Sequence, residues 1–262
     1  MLRSMYSGVS GMKNFQTKLD VIGNNISNVN TVGYKKSTIN FQDLLSQNMS
    51  SSGANPMQVG LGSVTSSINV NHNAGSLMST GVGTDLAIMG DGFFVVQDPE
   101  ATGTAGRYLT RAGNFTVTAA GDLVTAQGYK VLNNAGNAIN IDAKTYESFS
   151  INRLGEVIGK AANGNETTIS SIGVSKPENP SGLRKFGGSL YEMTEIASAG
   201  GLVLQTATAA KTEIGSGMLE MSNVDLTEEF TEMIIAQRGF QANSKTITTS
   251  DEILQEIMNL KR

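Results

Sequence analysis

Both ends of the 262-residue chain carry an apolar side chain every three or four positions, and this spacing constrains the fold more than any other feature. Such spacing places the apolar groups on one face of a helix, so it predicts a long helix at each end. The N-terminal stripe, about 28 residues long, consists of Leu2, Met5, Val9, Met12, Phe15, Leu19, Ile22, Ile26 and Val29. The C-terminal stripe, at heptad spacing, consists of Phe230, Met233, Phe240, Ile247, Leu254 and Met258.

The two predicted helices differ in charge. Residues 1–36 hold five basic side chains and one acidic, whereas residues 224–262 hold seven acidic and four basic. Opposite charge favours pairing of the helices with each other in a coiled coil. Because each stripe is narrow and two long helices are costly to order, we expect the pair to need further neighbours. These neighbours are either other copies of the chain or the chain's own β-rich part. The predicted assembly seam consists of Leu2, Met5, Val9, Met12, Leu19, Ile22, Ile26, Phe230, Met233, Phe240, Ile247 and Leu254.

A long segment near the N-terminus lacks charge. From Leu44 to Thr84, 41 consecutive residues include no Asp, Glu, Lys or Arg, and Ser, Asn and Gly are frequent. The segment shows no apolar periodicity. It is interpreted as extended, adaptable chain that orders against a partner surface, and a plain disordered linker fits the composition equally well.

From about residue 85 the apolar spacing changes to two, which predicts short strands. Gly90-Asp91-Gly92 predicts a hairpin between the strands on either side. Further strands are predicted at 108–110, 115–117, 123–125, 129–132, 148–152, 156–159, 168–174, 189–193 and 218–221. Many short strands without intervening helices favour an antiparallel domain. The fold class is therefore α+β, with terminal helices at 1–30 and 224–262, an extended linker at 31–84 that is uncharged from residue 44 on, and a β-rich outer domain at 85–223.

The sequence offers little for catalysis. It has no Cys, which excludes thiolate chemistry and sulfur-based zinc sites, and its one His, His72, has no second ligand at chelating spacing. We interpret His72 as a polar loop residue. The Gly-x-Gly pairs at 60–62 and 81–83 lack the rest of a phosphate-binding motif and are interpreted as turns. We expect no catalytic residue, no cofactor site and no metal site.

The composition also limits the classes of partner. A net charge of −4 gives no general attraction to nucleic acid or to an anionic membrane surface. No apolar stretch approaches the length of a membrane span or of a signal peptide. We therefore expect no nucleic-acid partner, no membrane insertion and, if the chain leaves the cytoplasm, no cleaved signal.

Three segments carry a resemblance to a known family. Residues 19–36 include Gly-Asn-Asn-Ile-Ser-Asn-Val-Asn-Thr and end in Gly-Tyr-Lys-Lys, and residues 221–245 include Ala-Gln-Arg-Gly-Phe-Gln-Ala-Asn-Ser. Residues 85–94 and 108–115 complete the set. In this order they resemble the signatures of the bacterial flagellar rod and hook axial proteins across nearly the whole chain.

The resemblance implies an extracytoplasmic structural subunit, exported by the flagellar type III apparatus and located in the hook or basal body. It implies a helical tube of identical subunits, with the terminal helices as an inner coiled-coil layer and the β domain outside. Neighbouring rod, hook-cap and hook–filament junction proteins would be its other partners.

The resemblance leaves two members of the family open. A chain of this length is typical of the distal rod protein and of the short hook proteins of Gram-positive bacteria. The stretch before residues 60–62 is shorter than the insertion typical of the rod protein, which favours the hook. A hook bends, so the uncharged segment 44–84 is the candidate for contacts that slide. Two other classes, an enzyme with helical ends and a glycan-binding β module, rest only on length and on Asn, Ser and Thr content.

Overall fold

The computed structural model describes residues 2–50, 57–101, 103, 106–142, 145–161 and 163–260. The side chains of Leu2, Asn48, Met49, Ser50 and Met57 lie outside this description, as do the linker residues 51–56. The chain divides into two compact units. The first, here called the helical unit, comprises residues 1–28, 36–71 and 224–262, and the second, the β unit, comprises 29–35 and 72–223.

The helical unit contains two helices and two short antiparallel ribbons. The helices are α1 (Leu2–Ser27) and α2 (Leu226–Leu260), and the strands are β1 (Ser37–Asp43), β2 (Gln47–Ser50), β3 (Met57–Val59) and β4 (Ser63–Val70). β1 pairs with β4 and β2 pairs with β3. The segment 31–84 thus contains paired strands that the absence of apolar periodicity does not indicate.

The start of α2 is capped by a side chain. Asp225 Oδ1 accepts a hydrogen bond from the Thr227 N–H at 2.8 Å, which satisfies one of the free donors of the first turn. Glu228 and Glu229 follow in the first turn, where negative charge complements the helix dipole. Hydrogen bonds from the backbone N–H groups of Thr227 and Glu228 hold the pKa of the Asp225 carboxyl below its ordinary value.

The β unit contains fifteen strands among its described residues. They are β5 (Leu77–Ser79), β6 (Leu86–Met89), β7 (Phe93–Gln97), β8 (Arg107–Thr110), β9 (Phe115–Val117), β10 (Leu123–Thr125), β11 (Lys130–Val131), β12 (Tyr146–Ile151), β13 (Glu156–Ala161), β14 (Glu166–Ser171), β15 (Val174–Ser175), β16 (Arg184–Gly187), β17 (Leu190–Glu192), β18 (Glu213–Ser216) and β19 (Met218–Glu220). A short 3₁₀ turn spans Pro180–Gly182.

One large sheet organises the β unit. Its strands follow the order β16-β17-β8-β7-β11-β10-β9, and β15 pairs with the central strand β7. A second sheet has the order β12-β13-β14, and two-stranded ribbons join β6 to β18 and β5 to β19. All described strand pairs of the unit are antiparallel. The main core includes Leu86, Ile88, Phe94, Val96, Phe115, Leu123, Val131, Ile172, Val174 and Ile214.

The predicted hairpin around Gly90-Asp91-Gly92 is wrong. β6 and β7 are both strands, but β6 pairs with β18 and β7 pairs with β8, β11 and β15. Gly90 and Gly92 have φ angles of 121° and 150°, which only glycine adopts easily, and they redirect the chain between two different sheets.

The α+β class is confirmed, with one helix near each end and antiparallel sheets between them. Over the part of the chain that the structure describes, neither helix is long and apolar enough to span a membrane.

Candidate assembly surface

The two helices of the helical unit pack against each other in antiparallel directions. Gly11 of α1 faces Asn243 of α2, and four residues later Phe15 faces Gly239. A Cβ added to Gly11 would lie 2.9 Å from Asn243 Oδ1, and one added to Gly239 would lie 2.5 Å from the Phe15 ring. Both distances are shorter than van der Waals contact. The glycines therefore allow a closer approach of the two helices than any larger residue would.

Charged side chains link the other end of the pair. Lys18 of α1 forms an ion pair with Glu232 of α2. Lys36 Nζ donates a hydrogen bond to Glu228 Oε2 at 2.7 Å and lies 3.8 Å from Glu229 Oε1. Each basic side chain comes from the N-terminal part and each acidic one from α2. The charge difference between the two ends thus appears as specific ion pairs, which fix register more than they add stability.

A buried amide ties β1 to both helices. Asn25 is 1% exposed; its Nδ2 donates to Ser37 O at 2.9 Å and to Glu229 Oε2 at 3.1 Å, and its Oδ1 accepts from Ser37 N at 3.0 Å. All polar atoms of the Asn25 side chain therefore have partners. A buried polar group satisfied in this way specifies one register, because a shifted register leaves it without its bonds.

The predicted assembly seam is only partly covered within one chain. Ile22 is buried; Met5, Met12, Leu19, Ile26, Met233, Phe240, Ile247 and Leu254 are half-buried; and Val9 and Phe230 are exposed. The side chain of Leu2 lies outside the description. The structure thus places most of these residues along the helix pair and leaves much of their apolar surface open to solvent.

Other apolar side chains of the two helices are exposed as well, and the seam prediction missed them. They are Tyr6, Leu226, Ile234, Ile235, Ile253, Ile257 and Leu260, and Met258 of the predicted C-terminal stripe is exposed with them. Tyr6 is 73% exposed, Met258 73% and Leu260 86%. The sequence does carry a signal for them. Consecutive apolar residues, such as Met233-Ile234-Ile235, cover more of a helix surface than a single stripe does. Large exposed apolar surfaces on a soluble chain mark sites of protein interaction.

A buried ion-pair cluster lies in the β unit. Glu220 of β19 accepts from Lys35 Nζ, and its second carboxylate oxygen lies 3.1 Å from Arg111 Nη1. The side chains of Lys35, Glu220 and Arg111 are 0%, 1% and 3% exposed. The Gly75 N–H donates to the same carboxylate at 2.9 Å. Sequence reasoning did not associate these residues, because they are far apart in the chain.

Burial and charge act on this cluster in opposite directions. Burial alone raises the pKa of the Glu220 carboxyl, but Arg111, Lys35 and the Gly75 N–H outweigh it and hold the pKa below its ordinary value. Burial lowers the pKa of the Lys35 ammonium in spite of its pairing with Glu220. The cluster consists of two cations around one anion, so the loss of that anion would leave two buried charges unpaired.

His72 lies next to this cluster, in the loop expected from the sequence. Its ring makes edge contacts with the rings of Phe93 and Tyr191, each with centroids 5.5 Å away. Burial, together with Lys35, Arg111 and Lys185, lowers its pKa from 6.5 to about 4.

The two ring nitrogens of His72 are shielded from solvent. The Pro180 carbonyl favours the protonated form, but neither nitrogen makes a hydrogen bond of normal geometry in the described part of the chain. Within that part, no three His, Asp or Glu side chains are grouped to hold a metal ion. His72 is therefore a neutral packing group at neutral pH.

Three family models match the chain. The flagella basal body rod protein model matches residues 5–35, the D1 domain model of the flagellar hook protein FlgE/F/G matches 87–159, and the C-terminal model of the flagellar basal body rod FlgEFG proteins matches 216–260. The first and third cover most of the two helices, and the second covers part of the large sheet.

Relatives match over longer stretches. The chain is 50% identical to the flagellar basal-body rod protein FlgG of Bacillus subtilis across the whole of both chains. It is 36% identical to the rod protein FlgG of Borreliella burgdorferi, again across both chains, in an alignment of 277 residues. It is 46% identical to the flagellar hook protein FlgE of Treponema pallidum over 162 residues, which cover 56% of this chain and 34% of that protein.

Proposed function

Because the chain belongs to the family of flagellar basal-body rod and hook proteins, which are structural components of the flagellum, we propose that it is the subunit of a helical tubular polymer, the flagellar hook. The observation that carries the polymer proposal is the apolar surface that the helical unit leaves uncovered. Identical subunits that cover this surface for one another would form an open-ended assembly when the contact patches differ.

In this polymer the helical units form a coiled-coil layer built on the predicted seam. Met12, Phe240 and Ile247 are half-buried in the single chain and become fully buried between copies. The segments 1–30 and 224–262 provide this layer, 31–84 provides adaptable contacts, and 85–223 forms the β-rich outer domain. The exposed apolar residues of β1 and β4, such as Phe41 and Ile68, support an interaction role for the adaptable segment.

Two observations support the hook. The Treponema pallidum hook protein retains 46% identity over the segment that it shares with this chain. The low charge of 44–84 fits a tube whose subunits slide when it bends.

The distal rod is the second candidate. The rod protein of Bacillus subtilis is 50% identical along the whole of both chains. Because hook and rod subunits share the same signatures, identity alone does not decide between them. The location of the protein in the assembled flagellum decides between the two candidates.

In either position the partners include identical copies and the neighbouring axial proteins of rod, hook cap and hook–filament junction. The type III export apparatus delivers the subunit without cleavage of a signal peptide, so the working location is the hook and basal body outside the cytoplasm. The intact mass of the cytoplasmic protein can be compared with that of the assembled protein. Equal masses would support export without cleavage of a signal peptide.

Two experiments test the proposal. Purified full-length chain is concentrated and analysed by sedimentation and electron microscopy; tubes support the polymer, and a chain that stays monomeric under all assembly conditions contradicts it. Immunolabelling of isolated flagella then locates the protein. Label on the curved external segment supports the hook, whereas label confined to the straight part within the envelope supports the rod.

A further inference from the structure

The end of α2 continues past the start of α1. Gly8 of α1 faces Thr246 and Ile247 of α2, and the helices are antiparallel, so Leu2 lies near the level of residue 252. Residues 253–260 therefore continue beyond α1 by about 12 Å, at 1.5 Å per residue. Leu254, at the base of this overhang, is half-buried, whereas Ile253 and all of residues 255–260 are exposed.

The overhang has an apolar stripe with an acidic flank. Ile253, Ile257 and Leu260 recur at steps of four and three, which places them on one face, and they are 48%, 50% and 86% exposed. Glu252 and Glu256 precede two of these residues by one position and are also exposed. Lys261 and Arg262 follow in the sequence but lie outside the described residues.

The outward face of α1 has the complementary character. Arg3, Tyr6, Val9 and Lys13 recur at steps of three and four and are all exposed. Neither Arg3 nor Lys13 takes part in an ion pair among the residues that the structure describes, whereas Lys18 further along the helix is paired with Glu232. This face therefore offers two apolar side chains between two free cations.

We infer that the acidic overhang of α2 docks antiparallel on the outward face of α1 of a second copy, with Ile253 against Val9 and Ile257 against Tyr6, and with Glu252 facing Lys13 and Glu256 facing Arg3. The α1 helix of the same chain does not cover this stripe, because the overhang continues beyond the start of that helix. The second copy is favoured over other partners because the charge and the apolar spacing of the two faces match. This inference deepens the proposed polymer and rests on it.

The two faces differ, so the contact is head-to-tail and leaves one free face at each end of a row of copies. Each face covers about two helical turns, which is small beside the roughly 800 Å² per partner of a stable complex. A single contact of this kind is therefore weak, and a row of copies becomes stable only when other contacts of the polymer act with it.

Cross-linking tests the contact directly, because the chain has no natural cysteine. Differently tagged Tyr6→Cys and Ile257→Cys chains are mixed at high concentration with oxidised glutathione, and the disulfide-linked heterodimer is measured. The control pairs Ile257→Cys with Ile196→Cys, whose native side chain is 78% exposed in the β unit. We expect at least a fivefold excess of heterodimer for the first pair. Equal yields would overturn the docking.

Charge reversal tests it in the polymer. Glu252→Lys with Glu256→Lys should raise the critical concentration for tube formation about tenfold, and adding Arg3→Glu with Lys13→Glu should restore it to within threefold of the wild type. Glu147→Lys with Glu195→Lys, two exposed changes in the β unit with the same total change of charge, should leave it unchanged. No restoration would overturn the pairing of these faces.

The two tests separate this inference from the proposed function. Selective cross-linking by a chain that never forms tubes would support the docking and contradict the polymer. Tubes from a chain whose cross-links are unselective would support the polymer and contradict the docking.

Discussion

Lys35 and Glu220, 185 residues apart in the sequence, form an ion pair whose side chains are 0% and 1% exposed. Arg111 adds a second cation to the same carboxylate. The backbone near Lys35 is held to the same strand, since the Gly33 N–H donates to Glu220 O at 2.8 Å. This cluster fixes the short segment 29–35 to the β unit, and its loss should unfold that unit more readily than any surface change.

The first prediction concerns the carboxylate. Glu220→Gln removes the anion that pairs with both Lys35 and Arg111, so we expect a loss of about 3–5 kcal/mol in the free energy of unfolding. Urea denaturation followed by circular dichroism measures it. Glu213→Gln is the matched control, because Glu213 pairs with Arg153 on the surface and should change stability by less than about 1 kcal/mol. Equal losses in the two variants would mean that the buried cluster has no special role.

The second prediction concerns Gly33. Its φ angle is +67°, and an added Cβ would lie 2.5 Å from the Ala112 backbone nitrogen, so Gly33→Ala combines backbone strain with a collision that no side chain can relieve. Gly164→Ala isolates the strain, since Gly164 has a φ of +77° and nothing within 4 Å of the added atom. We expect about 1 kcal/mol of destabilisation for Gly164→Ala and at least about 3 kcal/mol for Gly33→Ala in thermal unfolding. Similar melting temperatures for the two variants would contradict this expectation.

The third prediction is a pH dependence that originates at His72. Its folded pKa of about 4 lies below the ordinary 6.5, so the folded protein binds fewer protons than the unfolded chain between these values. The stabilising effect of the neutral His72 imidazole is therefore fully present above pH 6.5. As the pH drops toward 4, the free energy of unfolding decreases by about 1–2 kcal/mol, after allowance for the partial exposure of His72. Protonation would add a positive charge beside Lys35, Arg111 and Lys185.

His72→Phe tests this dependence. The variant keeps a ring against Phe93 and Tyr191 but has no proton to bind, so the difference in unfolding free energy between variant and wild type should change between pH 7 and pH 4. A difference that stays constant over that range would show that His72 does not titrate as described. Because the chain has a single His, no other imidazole confuses the comparison.

Local patterns were sufficient to predict most elements of the fold. The strands at Phe115–Val117 and Leu123–Thr125 occupy the predicted residues, and both helices lie where the three- to four-residue spacing predicts them. Alternation and periodicity are local properties, because they record which side of an element faces a core. They do not record which strand is the neighbour, and the pairing of β6 with β18, over 120 residues later, was therefore missed.

The polar features were harder to predict. β1 exposes five of its seven side chains and β4 four of its eight, and the apolar Phe41, Val64 and Ile68 are among the exposed ones, so neither strand shows the apolar face of a half-buried sheet. The Lys35, Arg111 and Glu220 cluster depends on three distant parts of the chain, and each residue alone is typical of a solvated surface. The overhang of α2 was missed because it depends on the relative lengths and register of two helices, which the apolar spacing does not specify.

The last prediction tests the seam at its most central aromatic residue. Phe240 of α2 is half-buried in the single chain, so a carboxylate there is tolerated by the monomer but would be buried between copies. We expect Phe240→Asp to abolish tube formation in sedimentation assays while the β unit keeps its wild-type unfolding transition. Gln241→Asp places the same charge at an exposed neighbouring position and should assemble normally. Tubes from Phe240→Asp would show that the seam lies on another face of α2, with the exposed Ile234 and Ile235 as the next residues to change.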